Sequence, residues 1–161
     1  MTARDAPRPT FAPAAEEDFE RLLDLRLRVM REHLERVGRY DPERARAMFR
    51  RRFSPATMRL ISENGTFAGC VDVVPRADHA EIGLFYLEPA LQGRGVGRAV
   101  LDAILSERPG LPHRLEVLKR SPAARFYERA GFVRTGETEW DVQFERPAAV
   151  PAGVGGGGDG A

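Results

Sequence analysis

Apolar side chains at Phe19, Leu22, Leu23, Met30, Leu34 and Val37 recur at the three- and four-residue spacing of one helix face, which predicts a helix over Glu16 to Val37. Glu16, Glu17 and Asp18 fill its first turn, where the helix dipole favours acids, and Gly38 marks its end. Asp41-Pro42 is an N-cap and first-turn pair and predicts a second, shorter helix that carries Met48 and Phe49 toward Phe53. The periodicity then changes from helical to alternating. "MRLISENGTFAGCVDVV" reads as two β-rich runs joined by Asn64-Gly65, a strong hairpin signal. "AEIGLFYLEP" is a strand apolar enough to lie centrally in its sheet, stopped by Pro89. Val96, Val100, Leu101, Ile104 and Leu105 mark a helix that must end before Pro109. "RLEVL" is the next strand, and "SPAARFYERAG" a helix with Ser121 as N-cap, Pro122 at its first position and Gly131 as its stop. "FVRTGETEWDVQFER" closes as a hairpin. With a short strand ahead of the first helix, the order β α α β β β α β α β β predicts a mixed α/β fold with helices on both faces of one sheet.

Composition narrows the class. A chain of 161 residues with 42% hydrophobic content fits one domain with a real core. Residues 1–9 and 147–161, rich in Pro, Gly and Ala, are expected to be disordered tails, leaving 10–146 as the domain. No apolar run is long enough to span a bilayer, and "MTARDAPRPTFAPAAEED" has no apolar segment resembling a secretory signal, so a cytoplasmic protein with no membrane partner is expected. Cys70 is the single cysteine, so no internal disulfide can form, and three scattered histidines offer no evident metal site. A net charge of +1 argues against nucleic acid as the main partner. "RYDPERARAMFRRRF" reads either as a solvated arginine face with one apolar stripe or as a contact for an acidic substrate or RNA. Monomer and homodimer both fit.

The chemistry is concentrated in "LQGRGVGRAV", where a strand runs into a glycine-rich turn and then a helix. Such a turn presents free backbone N–H groups and the positive end of a helix dipole at one spot, which suits phosphate. The dinucleotide fingerprint fails because Arg98 stands where its last glycine belongs, and a Walker loop fails because Gly97 is followed by Arg98-Ala99 rather than Lys-Ser/Thr. The surviving pattern, Gln92-x-x-Gly95-x-Gly97, resembles the acetyl-CoA loop of the GNAT superfamily of N-acetyltransferases. The whole stretch "FYLEPALQGRGVGRAVLDAIL" is similar to that family's strand, loop and helix, and "SPAARFYERAGF" resembles its second signature, a short helix with a tyrosine ahead of Gly-Phe.

The resemblance implies a GNAT fold, with a mostly antiparallel sheet splayed at a bulge, and acetyl-CoA as co-substrate without a metal. Its pantetheine arm would lie along the backbone of Phe85, Tyr86 and Leu87. The pyrophosphate would meet the N–H groups of Gln92, Gly93, Arg94, Gly95, Val96, Gly97 and Arg98, with the two arginines either paired to phosphates or solvated. Ser121 and Ala124 would flank the cofactor beside Tyr127, the candidate acid for the leaving thiolate, although the family usually has Asn where this chain has Ser121. The Leu87 N–H would stabilise the thioester oxygen.

Acetyl transfer to an amine of pKa near 10.4 finds only about 4 × 10⁻⁴ of it neutral at pH 7, a deficit of roughly 4.6 kcal/mol, so a base or a water-relayed proton path is expected. Glu81 is the first candidate, Glu116 the second, and water alone a third. Strand alternation places Glu81, Gly83, Phe85 and Leu87 on one face. The resemblance further implies that the first two helices and the last hairpin build the acceptor site, here contributing Arg26, Met30, His33, Tyr40, Arg44 and Trp140. The expected activity is transfer to a primary amine, of a small molecule or a peptide N-terminus, by direct attack in a ternary complex; the alternative is an acyl-CoA-binding module whose catalysis has lapsed.

Overall fold

The structure, a computed structural model, describes residues 6–149, so parts of both expected tails, 1–5 and 150–161, lie outside the described residues. The elements follow the predicted order: β1 (Pro9–Pro13), α1 (Phe19–Arg36), α2 (Pro42–Arg52), β2 (Met58–Glu63), β3 (Thr66–Pro75) and β4 (Ala80–Leu87) come first. They are followed by α3 (Val96–Glu107), β5 (His113–Leu118), α4 (Ala123–Arg129), β6 (Val133–Glu137) and β7 (Asp141–Arg146). The seven strands form one sheet in the order β1-β2-β3-β4-β5-β7-β6. Every neighbouring pair is antiparallel except β4 and β5. No helix among the described residues is long and apolar enough to cross a membrane.

Local signals act as the sequence indicates. The Asp41 side chain accepts from the Arg44 N–H at 3.1 Å and caps α2. Asn64 and Gly65 both adopt positive φ, 52° and 79°, which a type I′ hairpin turn requires. The start of α4 differs from expectation. The bond from Ala124 N–H to the Ser121 carbonyl is stretched to 3.5 Å, so the first turn does not close and the helix begins at Ala123, with Pro122 as its flanking residue. The Ser121 hydroxyl still accepts from Ala123 N–H at 3.2 Å.

Hydrophobic cores cover both sheet faces. On one, Val96, Val100, Leu101 and Ile104 of α3 pack with Tyr127 and Phe132 against Ile82, Leu115 and Val117. On the other, α1 and α2 bury Leu22, Leu25 and Phe49 over Met58 and Cys70, with Phe19, Phe49 and Phe53 in mutual ring contact at 5.3 to 5.8 Å.

Two departures from regular pairing shape the centre of the sheet. Asp72 pairs with Gly83 and Cys70 with Tyr86, so Val71 on β3 faces both Leu84 and Phe85 on β4, a bulge marked by a φ of 44° at Leu84. The bulge reverses the alternation. Ile82 belongs to the α3 side ahead of it, while Phe85 and Leu87 belong to that side after it, and Leu84 and Tyr86 turn to the α1–α2 side. Glu81 and Gly83 therefore face α1 and α2, opposite Phe85 and Leu87, which corrects the single shared face expected from alternation. The second departure is that β4 and β5 pair only at Ala80–His113 and Glu81–Arg114, then separate.

Gly69 makes the bulged pairing possible. A Cβ there would stand 2.0 Å from the Tyr86 carbonyl oxygen and 3.0 Å from the Leu87 Cα, all backbone atoms of β4 that cannot yield as a side-chain tip could. Gly69→Ala is expected to cost roughly 3 kcal/mol, on the order of 10 °C in thermal midpoint. Gly83→Ala, whose Cβ would meet nothing within 4 Å, is expected to leave the midpoint nearly unchanged. Equal midpoints for the two variants in thermal denaturation would show that the close approach is unimportant.

Candidate active site

The separation of β4 from β5 opens a cavity of about 1060 Å³ reaching from the α1–α2 side to Tyr127 of α4. Its edge carries free backbone. The Glu88 N–H donates to the Ala68 carbonyl at 2.8 Å, which makes Gly69 and Leu87 a non-hydrogen-bonded pair. The Leu87 N–H and C=O consequently point away from β3, toward the gap β5 has left. The carbonyl is taken by the Gln92 side-chain amide at 3.2 Å, a bond that braces the following loop. Arg28 holds the same corner to α1 through two bonds to Glu88, at 2.8 and 3.1 Å.

Beyond Glu88 a single 3₁₀ turn, Pro89–Leu91, leads into Gly93 and Gly95, with φ of 75° and 84°. Gly95 flanks α3, and its carbonyl accepts from Ala99 N–H at 3.1 Å. The first-turn N–H groups of Val96, Gly97 and Arg98 have no acceptor within the helix and project toward its positive end. Val96 is 1% exposed, so its side chain serves the core and only its backbone faces the loop. Gly97 differs from the other two glycines: its φ is not positive, and an added Cβ would make ordinary contact with the Leu87 and Phe126 side chains at 3.4 and 3.5 Å. The arginines also divide. Arg98 bonds Asp102 at 3.0 Å and the Arg129 carbonyl at 3.1 Å, while exposed Arg94 makes no ion pair among the described residues.

Tyr127 lies on the opposite wall, buried between Phe126 and Phe132, with ring centroids 5.0 and 5.6 Å away. Burial pushes its phenol well above the ordinary value, Tyr86 adds to the shift, and no hydrogen bond reaches its hydroxyl among the described residues. Ser121 and Ala123 share the cavity wall with it, whereas Ala124 packs on the core.

The carboxylates sit on the α1–α2 side. Burial alone would raise Glu81, but bonds from Arg76 at 3.2 Å and His79 at 3.3 Å outweigh it and hold the group below the usual carboxylate range. Glu116 lines the same cavity and is bonded by the Gln143 amide at 3.4 Å. Sequence reasoning missed Asp72, which is 8% exposed, lines the cavity and has one oxygen with no hydrogen-bond partner. Burial pushes its carboxyl up, opposed by Thr57 and Arg52 and reinforced by Glu81. A lone aspartate inside the apolar run "GCVDVV" was the available signal. Also unforeseen is the bond from Arg26, 5% exposed, to the Tyr86 hydroxyl at 2.8 Å, which fixes one wall of the cavity.

Of the expected acceptor residues, Arg26, Met30, Arg44 and Trp140 line the cavity. His33 and Tyr40 do not: both ring nitrogens of His33 are shut away from solvent, and the Tyr40 ring lies beneath Arg31 at 4.9 Å. Cys70 is fully buried, donates to the Leu84 carbonyl at 3.5 Å, and has its thiol pushed up to about 12 by burial. It is no nucleophile.

A family model described as "Acetyltransferase (GNAT) domain" matches residues 55–134, a span from just beyond α2 to the start of β6 that contains the bulge, the glycine loop and Tyr127. No curated protein sequence matches the chain. Among solved structures, the PaiA N-acetyltransferase of Thermoplasma acidophilum, in complex with coenzyme A, aligns at 19% identity and TM-score 0.67 over 87% of this chain and 99% of that one. The ribosomal-protein-S18-alanine N-acetyltransferase of Escherichia coli aligns at 18% identity and TM-score 0.65 over 91% and 98%. Ard1 of Thermoplasma volcanium aligns at 25% identity and TM-score 0.61 over 88% and 99%.

Proposed function

The chain belongs to the GNAT acetyltransferases, and from that premise we propose that it acetylates a primary amine, of a small molecule or a peptide N-terminus, by direct attack in a ternary complex with acetyl-CoA. The observation that carries this reading is that one cavity is walled by Tyr127 on one side and by Asp72 and Glu81 on the other, beside a Leu87 N–H that points away from β3 toward the β4–β5 gap.

Acetyl-CoA supplies the activated acetyl thioester, and the residues present fit it. The Gln92 N–H, expected to join the anion site, instead donates to the Pro89 carbonyl at 3.2 Å and closes the 3₁₀ turn, so the N–H groups from Gly93 to Arg98 hold the pyrophosphate at the start of α3, where the glycines keep side chains out of its approach and Arg94 stands free to pair with a phosphate. The gap between β4 and β5 takes the extended pantetheine arm along Phe85, Tyr86 and Leu87. The Leu87 N–H then donates to the thioester oxygen as attack gives it negative charge. Removing one such donor elsewhere costs about 10²–10³ in rate, so placement of this one N–H by the bulge is a large part of the catalysis.

Tyr127 faces the sulfur in this reading. A phenol raised above its ordinary value keeps its proton through the physiological range, so it serves as a hydrogen-bond donor to the departing thiolate. The amine arrives from the α1–α2 side, where Glu81 stays ionised beside Arg76 and His79. That pairing makes Glu81 a weak base, suited to drawing the amine's proton away through water rather than seizing it directly. With Cys70 buried and its thiol raised, direct attack is the route these residues support.

The test is saturable binding of acetyl-CoA to the purified protein, followed by release of free thiol when an amine panel is added. Intact-mass measurement with acetyl-CoA alone is expected to show unmodified protein. A stoichiometric acetyl-enzyme that passes its acetyl group to the amine would overturn direct transfer.

A further inference from the structure

The five arginines of α2 fall into two groups. Arg46 and Arg50 point back toward α1, where they pair with Glu20 and Glu16 and lie over the Phe19 ring. Arg44, Arg51 and Arg52 share the other face with Met48, line the cavity, and make no ion pair among the described residues. Exposed arginines without partners are ordinary singly. Three on one concave wall make a field that attracts anions into the cavity and repels a second cation.

Opposite them, the cavity's acids are mostly answered. Glu81 has Arg76 and His79, Glu116 has Gln143, and the Asp41 carboxylate caps α2. Glu145 has Arg114; Asp141 lines the cavity without an ion pair among the described residues but is only partly buried, whereas Asp72 is more than nine-tenths buried with Oδ1 unpartnered. Burying a carboxylate without full hydrogen bonding is costly, and such a group persists where a ligand completes it. The cavity thus has three arginines without ion pairs on its helical wall, Arg52 close enough to act on Asp72 through space, and on its sheet floor a carboxylate oxygen that no hydrogen bond reaches.

Building on the acetyl-transfer reading, we propose that the acceptor is a small primary amine carrying a carboxylate or phosphate, its anion held by Arg44, Arg51 and Arg52 and its ammonium held over Asp72. Arginine forks match either anion, and the two ends fix the amine at the mouth of the β4–β5 gap, where the acetyl group would be presented. A polyamine would bring a second cation against the arginine wall.

The experiment compares thiol release with β-alanine and O-phosphoethanolamine against neutral β-alaninamide and ethanolamine and against putrescine. The better anionic amine is expected to exceed its neutral counterpart by about 10- to 100-fold in kcat/KM, and the two anionic arms tell carboxylate from phosphate. Combining Arg44→Ala, Arg51→Ala and Arg52→Ala should bring that ratio close to one with the KM for acetyl-CoA unchanged, whereas Arg46→Ala with Arg50→Ala keeps it. Asp72→Asn should lower turnover with the anionic amine and raise the thermal midpoint at pH 8. The sign follows from the raised carboxyl: the folded state disfavours the ionised form, so the native side chain loses stability as pH rises through its folded value, and the amide does not. Preference for putrescine or for a neutral amine, or equal losses on both amine classes in the triple variant, would overturn the proposal.

Thiol release with none of the five amines would count against acetyl transfer itself, and the acceptor site has its own readout. Trp140, the single tryptophan, lines the cavity, so its fluorescence reports binding of N-acetyl-β-alanine and of the corresponding amide. Tighter binding of the acid, lost in the triple arginine variant, supports the site; equal binding of acid and amide refutes it.

Discussion

Gly95→Asp is expected to weaken acetyl-CoA binding by about 100-fold or more while leaving the protein folded, a pairing that follows from where Gly95 stands. It flanks α3 at a φ of 84°, immediately ahead of the N–H groups assigned to the pyrophosphate. Aspartate tolerates that backbone better than most residues and is a preferred N-cap, so its carboxylate would turn onto the free N–H groups and stabilise the helix. In doing so it occupies the donors that a phosphate needs and adds a like charge beside it. Losing two charge-assisted bonds, each worth about 1.5–3 kcal/mol, accounts for the expected factor. Gly95→Ala brings only backbone strain, roughly 1–2 kcal/mol, and should cost about tenfold in affinity. Titration calorimetry with acetyl-CoA, alongside thermal denaturation, reads both quantities. Affinity close to that of the native protein in Gly95→Asp would remove the loop from the cofactor site.

Tyr127→Phe should reduce kcat by about 10²–10³-fold while acetyl-CoA affinity changes by less than about twofold. The ring is part of an aromatic line with Phe126 and Phe132, and phenylalanine keeps those contacts. Only the hydroxyl is lost, and nothing among the described residues bonds it. The pH dependence supplies an independent check. Because burial raises the phenol, the native enzyme should show no falling limb from Tyr127 up to about pH 10, where an ordinary tyrosine would begin to lose its proton. Stopped-flow or steady-state thiol release measures both effects. Unchanged turnover in the variant would take the hydroxyl out of the chemistry and leave Tyr127 as a packing residue.

Elements were legible in the sequence wherever punctuation is strong. Asn64-Gly65, Asp41-Pro42, Pro89 and Gly131 each fall where the structure turns, caps or stops, and the apolar spacing of α1 and α3 places the faces that meet the sheet. The functional centre was legible only in part, because it depends on an irregularity the chain does not advertise. Leu84 takes a positive φ without being glycine, and one extra residue in β4 carries Glu81 to the face opposite Leu87. A period-two reading has no means of anticipating that inversion. Asp72 is marked in the sequence only as a lone acid in an apolar run, and its missing hydrogen-bond partner emerges only in the folded chain. His33 has the helical spacing of an acceptor residue, yet the folded chain seals both of its nitrogens. Gly93 and Gly95 do take the positive φ that suits a glycine turn, a property carried by residue type, whereas what covers a side chain is not.

The parting of β4 from β5 also bears on where another chain's strand could pair with this sheet. A row of unpaired backbone groups is ordinarily a template for another chain's strand. Here that row lies inside the sheet, with β4 on one side and β5 on the other, so a slender extended ligand can reach it and a second folded molecule cannot. The true margins are guarded by different means. β1 is five residues long with a proline at each end, and β6 is as short and carries Arg134 and Glu137. The fold thus keeps its one sticky seam where only a narrow guest can use it, and blunts the borders that neighbouring copies could touch.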